Sequence, residues 1–171
     1  MKIITIDDEL LDLVNEHDQI IGQEWRSVVH EQGLRNFRVV NAFLINQQSQ
    51  LWIPRRTAHK KLFPSALDAS MGGHVASGET YEQAFSRELM EELRIDATRN
   101  AYEKIGALNP HQHNTSGFMQ VYVLRTNSVP QFNPDDFVEY YWLTPHEFLQ
   151  RVEQGDSCKS DLPKIIRHLF I

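Results

Sequence analysis

The stretch Gly72–Ile95, GGHVASGETYEQAFSRELMEELRI, joins a glycine-containing loop to an amphipathic helix and carries most of the fold prediction. Thr80 followed three residues later by Gln83 is a capping-box pattern, which predicts a helix that begins at this threonine and runs to Arg94. Three apolar residues at i, i+4 spacing should form the side that faces the core: Phe85, Leu89 and Leu93.

The same helix gathers three acidic residues, Glu88, Glu91 and Glu92, beside its apolar side. With about 100° of rotation per residue, Glu88 lies about 60° from Glu91 and about 40° from Glu92 around the helix axis. All three side chains therefore point to one side. If partly buried, two carboxylates about 4 Å apart repel by roughly 4 kcal/mol at an effective dielectric constant of about 20. A solvated charged face is the alternative interpretation, but only Arg87 and Arg94 supply positive charge in this helix. Hard carboxylate oxygens then predict bound Mg²⁺, with Mn²⁺ as a substitute, rather than Zn²⁺.

Length and composition set the class of protein. With 171 residues and 41% hydrophobic content, the chain suits one core, which predicts a single domain over residues 1–171. The start, MKIITIDDELLDL, lacks the features of a secretory signal and Cys158 is the only cysteine, so we expect a cytoplasmic protein. A net charge of -6 predicts no binding to nucleic acid polymers or membranes. The oligomeric state stays open, a homodimer included.

Hydrophobic patterns elsewhere predict a mixed α/β domain. Apolar runs on both sides of a polar turn indicate a hairpin within residues 12–22, in an N-terminal extension covering 1–30. Five further strands are predicted at 38–45, 51–56, 104–108, 118–126 and 138–143. Two C-terminal helices are predicted within residues 145–171, at 145–153 and 161–170, each with a proline in its first turn.

The acidic segment also fits a longer pattern: Gly73, then Glu79 after five residues, then RELMEELRI at 87–95 after seven more. On these residues, segment 72–95 resembles the Nudix box of the Nudix hydrolase superfamily, and so many fixed positions make a chance match improbable. The resemblance implies an α/β fold, a Nudix-type α/β/α sandwich with a mixed sheet and one long catalytic helix.

The resemblance also implies roles for the residues of the box. The three glutamates, Glu88, Glu91 and Glu92, would be catalytic and would bind Mg²⁺, helped by the carbonyl group of Gly73. Two others would brace the loop against the helix as structural support: Glu79 and Arg87. The implied reaction is Mg²⁺-dependent hydrolysis of a diphosphate linkage in a nucleoside diphosphate derivative or a related small pyrophosphate.

One position departs from the pattern. Arg94 stands where the family usually has glycine near the end of the helix. A non-glycine residue in the left-handed conformation costs on the order of 1 kcal/mol, so a different exit from the helix is one expectation. Because Arg94 is not at a metal-ligand position, the predicted activity stands.

Residues outside the box resemble the subgroup that includes isopentenyl diphosphate isomerase, through the segments 30–34, 54–56, 60–61 and 68–75. The isomerase uses a cysteine where this chain has Gly72, and glycine has no proton to give to an alkene. One of the isomerase's metal-ligand histidines falls at Asn36, which leaves His30 and His74. The sequence therefore predicts a hydrolase; an isomerase and a non-catalytic nucleotide-binding module are the alternatives.

Further candidates lie outside the box. The general base is either Glu88 or one of the later acids, Asp135, Asp136 and Glu139, for which a plain acidic loop is an equal alternative. Two arginines, Arg55 and Arg56, end a strand, so alternation should turn one toward substrate phosphate and leave the other as surface charge. Weaker candidates are the pairs Lys60 and Lys61, His30 and His74, and His111 and His113, for which exposed or structural roles are the simpler interpretation.

Overall fold

Eight strands and five helices make up the part of the chain described by the computed structural model, residues 7–171. The strands are β1 (Leu10–Val14), β2 (Ile20–Trp25), β3 (Arg38–Ile45), β4 (Leu51–Arg56), β5 (Met71–His74), β6 (Glu103–Leu108), β7 (Phe118–Arg125) and β8 (Phe137–Leu143). The helices are α1 (Arg26–Glu31), α2 (Tyr81–Leu93), α3 (Pro110–His113), α4 (Pro145–Glu153) and α5 (Leu162–Leu169).

Six strands form the central sheet, in the order β6-β7-β3-β4-β8 with β5 also paired to β3. Strands β3 and β7 run parallel, and every other described pair in this sheet is antiparallel. Strand β3 pairs with β4 at Ile45 and Leu51, near the turn that joins them. Strand β5 pairs with β3 from Val39 to Ala42. The sheet is therefore mixed, as predicted.

Helices cover both faces of this sheet. On one face, α2 packs Phe85, Leu89 and Leu93 against the sheet, so the predicted core-facing side of this helix is confirmed. On the other face, α4 and α5 contribute Phe148 and Ile165 to a second core. Burial of apolar side chains on both sides of the sheet gives the α/β/α sandwich expected from the sequence.

Strands β1 and β2 form a separate antiparallel hairpin, at the position where the sequence predicts one. The hairpin contacts the loop before α2, because the carboxylate of Asp12 accepts hydrogen bonds from Ser77 Oγ at 2.8 Å and from the Gly78 amide at 3.0 Å. Residues 1–6 of the predicted extension lie outside the described residues. Within residues 7–171, no helix has the length and apolar character needed to cross a membrane.

Three elements were not predicted: α1, β5 and α3. Strand β5 has the sequence Met-Gly-Gly-His, which has little intrinsic strand propensity, so its conformation depends on pairing with β3. Helix α3 contains His111 and His113, which the sequence placed in a loop; the side chain of Asn109 caps its start. Arg94 has φ 55° and ψ 36°, so the chain leaves α2 through a left-handed residue although it is not glycine.

Candidate active site

The loop and the helix of segment 72–95 are joined by polar contacts at the start of α2. Both hydrogen bonds of the predicted capping box between Thr80 and Gln83 are present. Arg87 donates to both carboxylate oxygens of Glu79, at 2.8 and 2.9 Å, and to the carbonyl oxygen of His74 at 3.1 Å. This two-point contact lowers the pKa of Glu79 and ties the loop to the second turn of the helix. The geometry suits the supporting role predicted for Glu79 and Arg87.

Glu88 points from α2 toward the backbone of β5. A β-carbon added at Gly73 would lie 2.2 Å from the carboxyl carbon of Glu88, so the approach requires a residue without a side chain. Only 14% of the Glu88 side chain is exposed, and this burial raises its pKa to about 7 despite the contact with Arg87. The carboxyl group is therefore poorly hydrated. A positively charged partner would favour its ionised form.

Glu92 is the most deeply buried of the three acids, with 8% of the residue exposed. Its carboxylate accepts a hydrogen bond from the Gly72 amide at 2.9 Å. Burial raises its pKa well above the usual value, and repulsion from Glu88 and Asp68 acts in the same direction. Glu91 differs from both, because 58% of its side chain is exposed.

Arg87 lies between these acids and compensates part of their charge. Arg87 Nη1 lies 2.8 Å from Glu88 and 3.4 Å from Glu91, so a helix cation does compensate two of the three charges. Glu92 forms no ion pair within the described residues. In residues 7–171 no three Asp, Glu, His or Cys side chains converge into a preassembled ion site. A cation bound here would therefore have to draw carboxylates away from Arg87.

The donor groups nevertheless fit a hard divalent cation. Two carboxyl groups, from Glu88 and Glu92, are desolvated enough to have raised pKa values, and the first lies against the backbone of Gly73 with no β-carbon between them. Carboxylate and carbonyl oxygens are the ligands that Mg²⁺ and Mn²⁺ take in proteins. These are the residues that could hold the metal, with Glu91 completing the set.

A cavity of about 520 Å³ contains the three glutamates and Gly73. Basic side chains line the same cavity: Arg26, Arg56, Lys60 and Lys159. Asp136 also lines it and accepts a hydrogen bond from Lys60 Nζ at 2.7 Å. Acidic and basic groups around one space suit an anionic ligand bound through a cation on the acidic side.

The structure separates the two adjacent arginines. Arg56 lines the cavity and donates to the buried carboxylate of Asp68 at 2.9 Å. Arg55 does not line it, and instead donates to both carboxylate oxygens of Asp156, at 2.9 and 3.1 Å, and also pairs with Glu139. The prediction of substrate contact therefore applies to Arg56 alone. Arg55 is not ordinary surface charge either, because only 17% of its side chain is exposed.

Glu139 is likewise outside the cavity. It pairs with Arg55 across the β4–β8 ladder and accepts a hydrogen bond from the Tyr141 hydroxyl at 2.9 Å, and these donors lower its pKa. Asp135 does not line the cavity either. Of the later acids predicted as candidates, only Asp136 reaches the site.

His30 and His74 meet at the cavity wall, with their Nε2 atoms 3.1 Å apart, so one ring donates a hydrogen bond to the other. Burial lowers the pKa of both imidazoles, helped by the positive charges of Arg26 and Lys159. Phe37 packs against His74 with ring centroids 5.5 Å apart and 25° between the ring planes. The three rings form a neutral aromatic wall, which agrees with a structural role for the histidine pair.

Sequence reasoning missed several residues that line the cavity, including Arg26, Asn41 and Lys159. Lys159 follows α4, far from the box in the chain, and reaches the site because its amide donates to the Leu67 carbonyl oxygen at 3.0 Å. Its Nζ atom lies 3.7 Å from Asp68. None of these residues belongs to a local motif, so no pattern in the sequence signals them.

A larger cavity, about 670 Å³, lies elsewhere, around the residues that follow α2. Arg94, Tyr102 and Arg125 line it, and none of the three glutamates does. The chemistry of the lining, rather than size, therefore distinguishes the candidate active site.

Comparison with known proteins agrees with the fold. The family model of the NUDIX domain matches residues 35–161. A Nudix hydrolase of Nostoc sp. is 48% identical over 162 residues, which cover 95% of this chain and 96% of the relative. A crystal structure of a protein from Deinococcus radiodurans superimposes with a TM-score of 0.90 at 47% identity, covering 95% of this chain and 100% of that one. An isopentenyl-diphosphate Δ-isomerase of Klebsiella pneumoniae is 30% identical over 135 residues, covering 77% of this chain and 73% of the relative.

The mixed sheet between helical layers defines an α/β/α protein, and the matched family model and relatives make it a hydrolase. The chain belongs to the Nudix hydrolase family. Enzymes of this family generally use divalent metal ions and act on small molecules.

Proposed function

We propose that this protein is a Mg²⁺-dependent hydrolase that cleaves a diphosphate linkage in a nucleoside diphosphate derivative or a related small pyrophosphate. One observation carries the proposal: Glu88, Glu91 and Glu92 line the same cavity as Arg56, Lys60 and Lys159. The acidic group suits a divalent cation and the basic group suits phosphate oxygens, which together match the two halves of a metal–diphosphate complex.

Glu88, Glu91 and Glu92 would hold the cation, with the Gly73 carbonyl oxygen as a further ligand. A bound Mg²⁺ would polarise a phosphoryl oxygen and lower the pKa of a bound water molecule. Mn²⁺, which accepts the same oxygen ligands, would substitute for it. The hydrogen bond from the Gly72 amide would keep Glu92 oriented while it binds.

Arg56 would bind the substrate phosphates, and Asp68 would position its guanidinium group from behind. Arginine suits this role because its planar group donates two parallel hydrogen bonds to phosphate oxygens. Lys60 and Lys159 add positive charge around the same space. Glu88 or Asp136, which both line the cavity, would accept the proton of the attacking water, whereas Glu139 pairs with Arg55 outside it.

The isomerase alternative is less well supported. Gly72 has no side chain to protonate a carbon atom, and Cys158 is remote from it in the chain. Burial raises the pKa of the Cys158 thiol to about 11, which makes it a poor substitute at neutral pH.

The test is hydrolysis of a panel in the presence of Mg²⁺: nucleoside diphosphates and triphosphates, nucleotide sugars, dinucleoside polyphosphates and prenyl diphosphates. We expect release of phosphate-containing products from at least one class. Isomerisation of isopentenyl diphosphate would support the alternative function, and no turnover of any compound would support a non-catalytic binding module.

The double variant Glu91→Gln with Glu92→Gln should abolish turnover while the protein remains folded. Glu82→Gln is the matched control, because Glu82 is an exposed acid on the same helix that does not line the cavity. Unchanged activity in the double variant would remove these two residues from the mechanism.

A further inference from the structure

Asn41 is a polar side chain at the candidate active site to which the proposed reaction assigns no role. It lies within β3, is 7% exposed and lines the cavity with the glutamates. Its neighbours in the strand alternate between faces: Val40 packs on the α2 side of the sheet and Phe43 on the α5 side. By this alternation the Asn41 amide projects on the α5 side, away from the helix that carries the carboxylates.

The hydrogen-bonding capacity of this amide is largely unused. Within residues 7–171, the one hydrogen-bond partner of the Asn41 side chain is the sulfur atom of Met119, 3.7 Å from Nδ2. A thioether is a weak acceptor, and no described donor reaches the amide oxygen. In the described residues, Trp52 Nε1 is the one fully buried side-chain nitrogen or oxygen atom without a partner, so the Asn41 amide oxygen opens onto the cavity, where a ligand could complete its hydrogen bonds.

Asn41 also occupies the space that a side chain at position 72 would need. The two residues are directly paired across the β3–β5 ladder, so their side-chain directions coincide. A β-carbon at Gly72 would lie 3.0 Å from Asn41 Oδ1, a tight contact that the amide could relieve only by shifting a few tenths of an ångström. Glycine at this position therefore lets the amide take its present orientation, beside the backbone amide that binds Glu92.

The wall near Asn41 is aromatic. Phe37, His30 and His74 line the cavity, with the His74 ring 5.2 Å from His30 and 5.5 Å from Phe37 between centroids. A planar, neutral ring system can pack against such a wall while its polar edge meets an amide. Nucleobases have this combination of a flat ring with adjacent hydrogen-bond donors and acceptors.

We propose that Asn41 is a specificity-determining residue that hydrogen-bonds the polar edge of a nucleobase in the substrate. The inference rests on the proposed function, because the base enters attached to the diphosphate bound by α2 and Arg56. A hydrocarbon chain in the same place would exclude water from this amide and offer it no hydrogen-bond partner. Sites built around such a group strongly reject ligands that lack the matching hydrogen bonds.

The first test compares Asn41→Leu with wild-type protein on five substrates: ADP, GDP, CDP, UDP and geranyl diphosphate. Leucine has a similar size and no amide. The kcat/KM of the preferred nucleotide should fall roughly 10- to 100-fold, the range expected for the loss of hydrogen bonds in a buried site, while that for geranyl diphosphate should not fall. An equal loss for both classes, or no loss for nucleotides, would overturn the inference. Gln48→Leu, at an exposed turn, is the control.

The second test uses the steric link between positions 41 and 72. Gly72→Ala should give part of the same selective loss, because its methyl group would push the Asn41 amide out of its present position. In an Asn41→Ala background, which has no amide to displace, Gly72→Ala should lower kcat/KM by a smaller factor than it does in the wild-type background. Additive effects would show that the two residues act independently, and the role assigned to Asn41 would then be wrong.

A binding measurement separates this inference from the proposed hydrolysis. The ¹⁵N signals of the Asn41 side chain, assigned by their loss in Asn41→Leu, should shift when a nucleoside monophosphate is added without metal. Inorganic phosphate should leave them unchanged. If no nucleoside monophosphate shifts these signals, the nucleobase contact is excluded even in an active enzyme. If the signals shift but the wild-type protein hydrolyses nothing, the proposed hydrolase function fails while the contact stands.

Discussion

Gly73 and Glu88 lie so close together that a β-carbon on the glycine would be 2.2 Å from the glutamate carboxyl carbon. The backbone of β5 at Gly73 thus lies directly against the buried carboxyl group of Glu88, with no side chain between them. Because the obstructing atoms belong to a side chain that can turn away, a methyl group at position 73 should move Glu88 rather than unfold the chain.

We therefore predict that Gly73→Ala weakens binding of Mn²⁺ at least tenfold and lowers kcat more than it changes Tm. Calorimetric titration with Mn²⁺ and thermal unfolding would measure both. Gly22→Ala is the matched control, since a β-carbon at Gly22 meets nothing within 4 Å. Full metal affinity in Gly73→Ala would mean that Glu88 does not need this close approach.

Arg94 adopts φ 55° at the end of α2, a conformation that is costly for a residue with a side chain. Arg94→Gly should stabilise the protein by about 1 kcal/mol, measured by urea unfolding, because glycine reaches this conformation without strain. Arg99→Gly, at an exposed position without a positive φ, should give no such gain. A loss of stability in Arg94→Gly would show that its side chain makes compensating contacts.

The buried carboxyl group of Glu92 should make the stability of the metal-free protein depend on pH. Its pKa is raised by burial, so between the ordinary glutamate pKa and this higher value the folded state keeps a proton that the unfolded state loses. Wild-type stability therefore falls as pH rises through this window, whereas Glu92→Gln has no such proton to lose. The Tm of the variant relative to wild type should increase from pH 5 to pH 8.

Thermal unfolding can detect such a change, since about 1 kcal/mol corresponds to roughly 2–4 °C in a protein of this length. Glutamine can still accept the hydrogen bond from Gly72, so the comparison isolates the charge. Added Mg²⁺ should raise the Tm of wild type at pH 8 more than that of the variant. A Tm difference independent of pH would show that Glu92 titrates normally.

Arg55 and Arg56 should respond differently to the same substitution. Arg56→Lys keeps a positive charge beside Asp68 but loses the planar group that also donates to the Leu62 and Phe63 carbonyl oxygens, so KM for the substrate should rise roughly tenfold and Tm should fall. Arg55→Lys breaks the paired contact with Asp156 and should lower stability while leaving KM unchanged. Steady-state kinetics and thermal unfolding of both variants test this, and a KM effect confined to Arg55 would reverse the assignment.

Local sequence alone determined the helix of the site. The capping box at Thr80, the apolar repeat through Leu89 and the angular positions of the glutamates all follow from helical geometry over a few residues. The mixed α/β class followed equally from alternating patterns along the chain. These contacts join residues only a few positions apart in the chain. The sequence therefore predicts them without knowledge of the tertiary structure.

Tertiary structure decided what surrounds those glutamates. Strand β5 has weak propensity and exists through pairing with β3, and that pairing brings Gly72 against Asn41 and Gly73 toward Glu88. Lys159 enters the cavity through a contact with Leu67, and the β4–β8 ladder leaves Arg55 with Glu139 and Arg56 at the cavity. These outcomes depend on which distant segments share a surface once the apolar residues are buried, and no spacing within one segment encodes that choice.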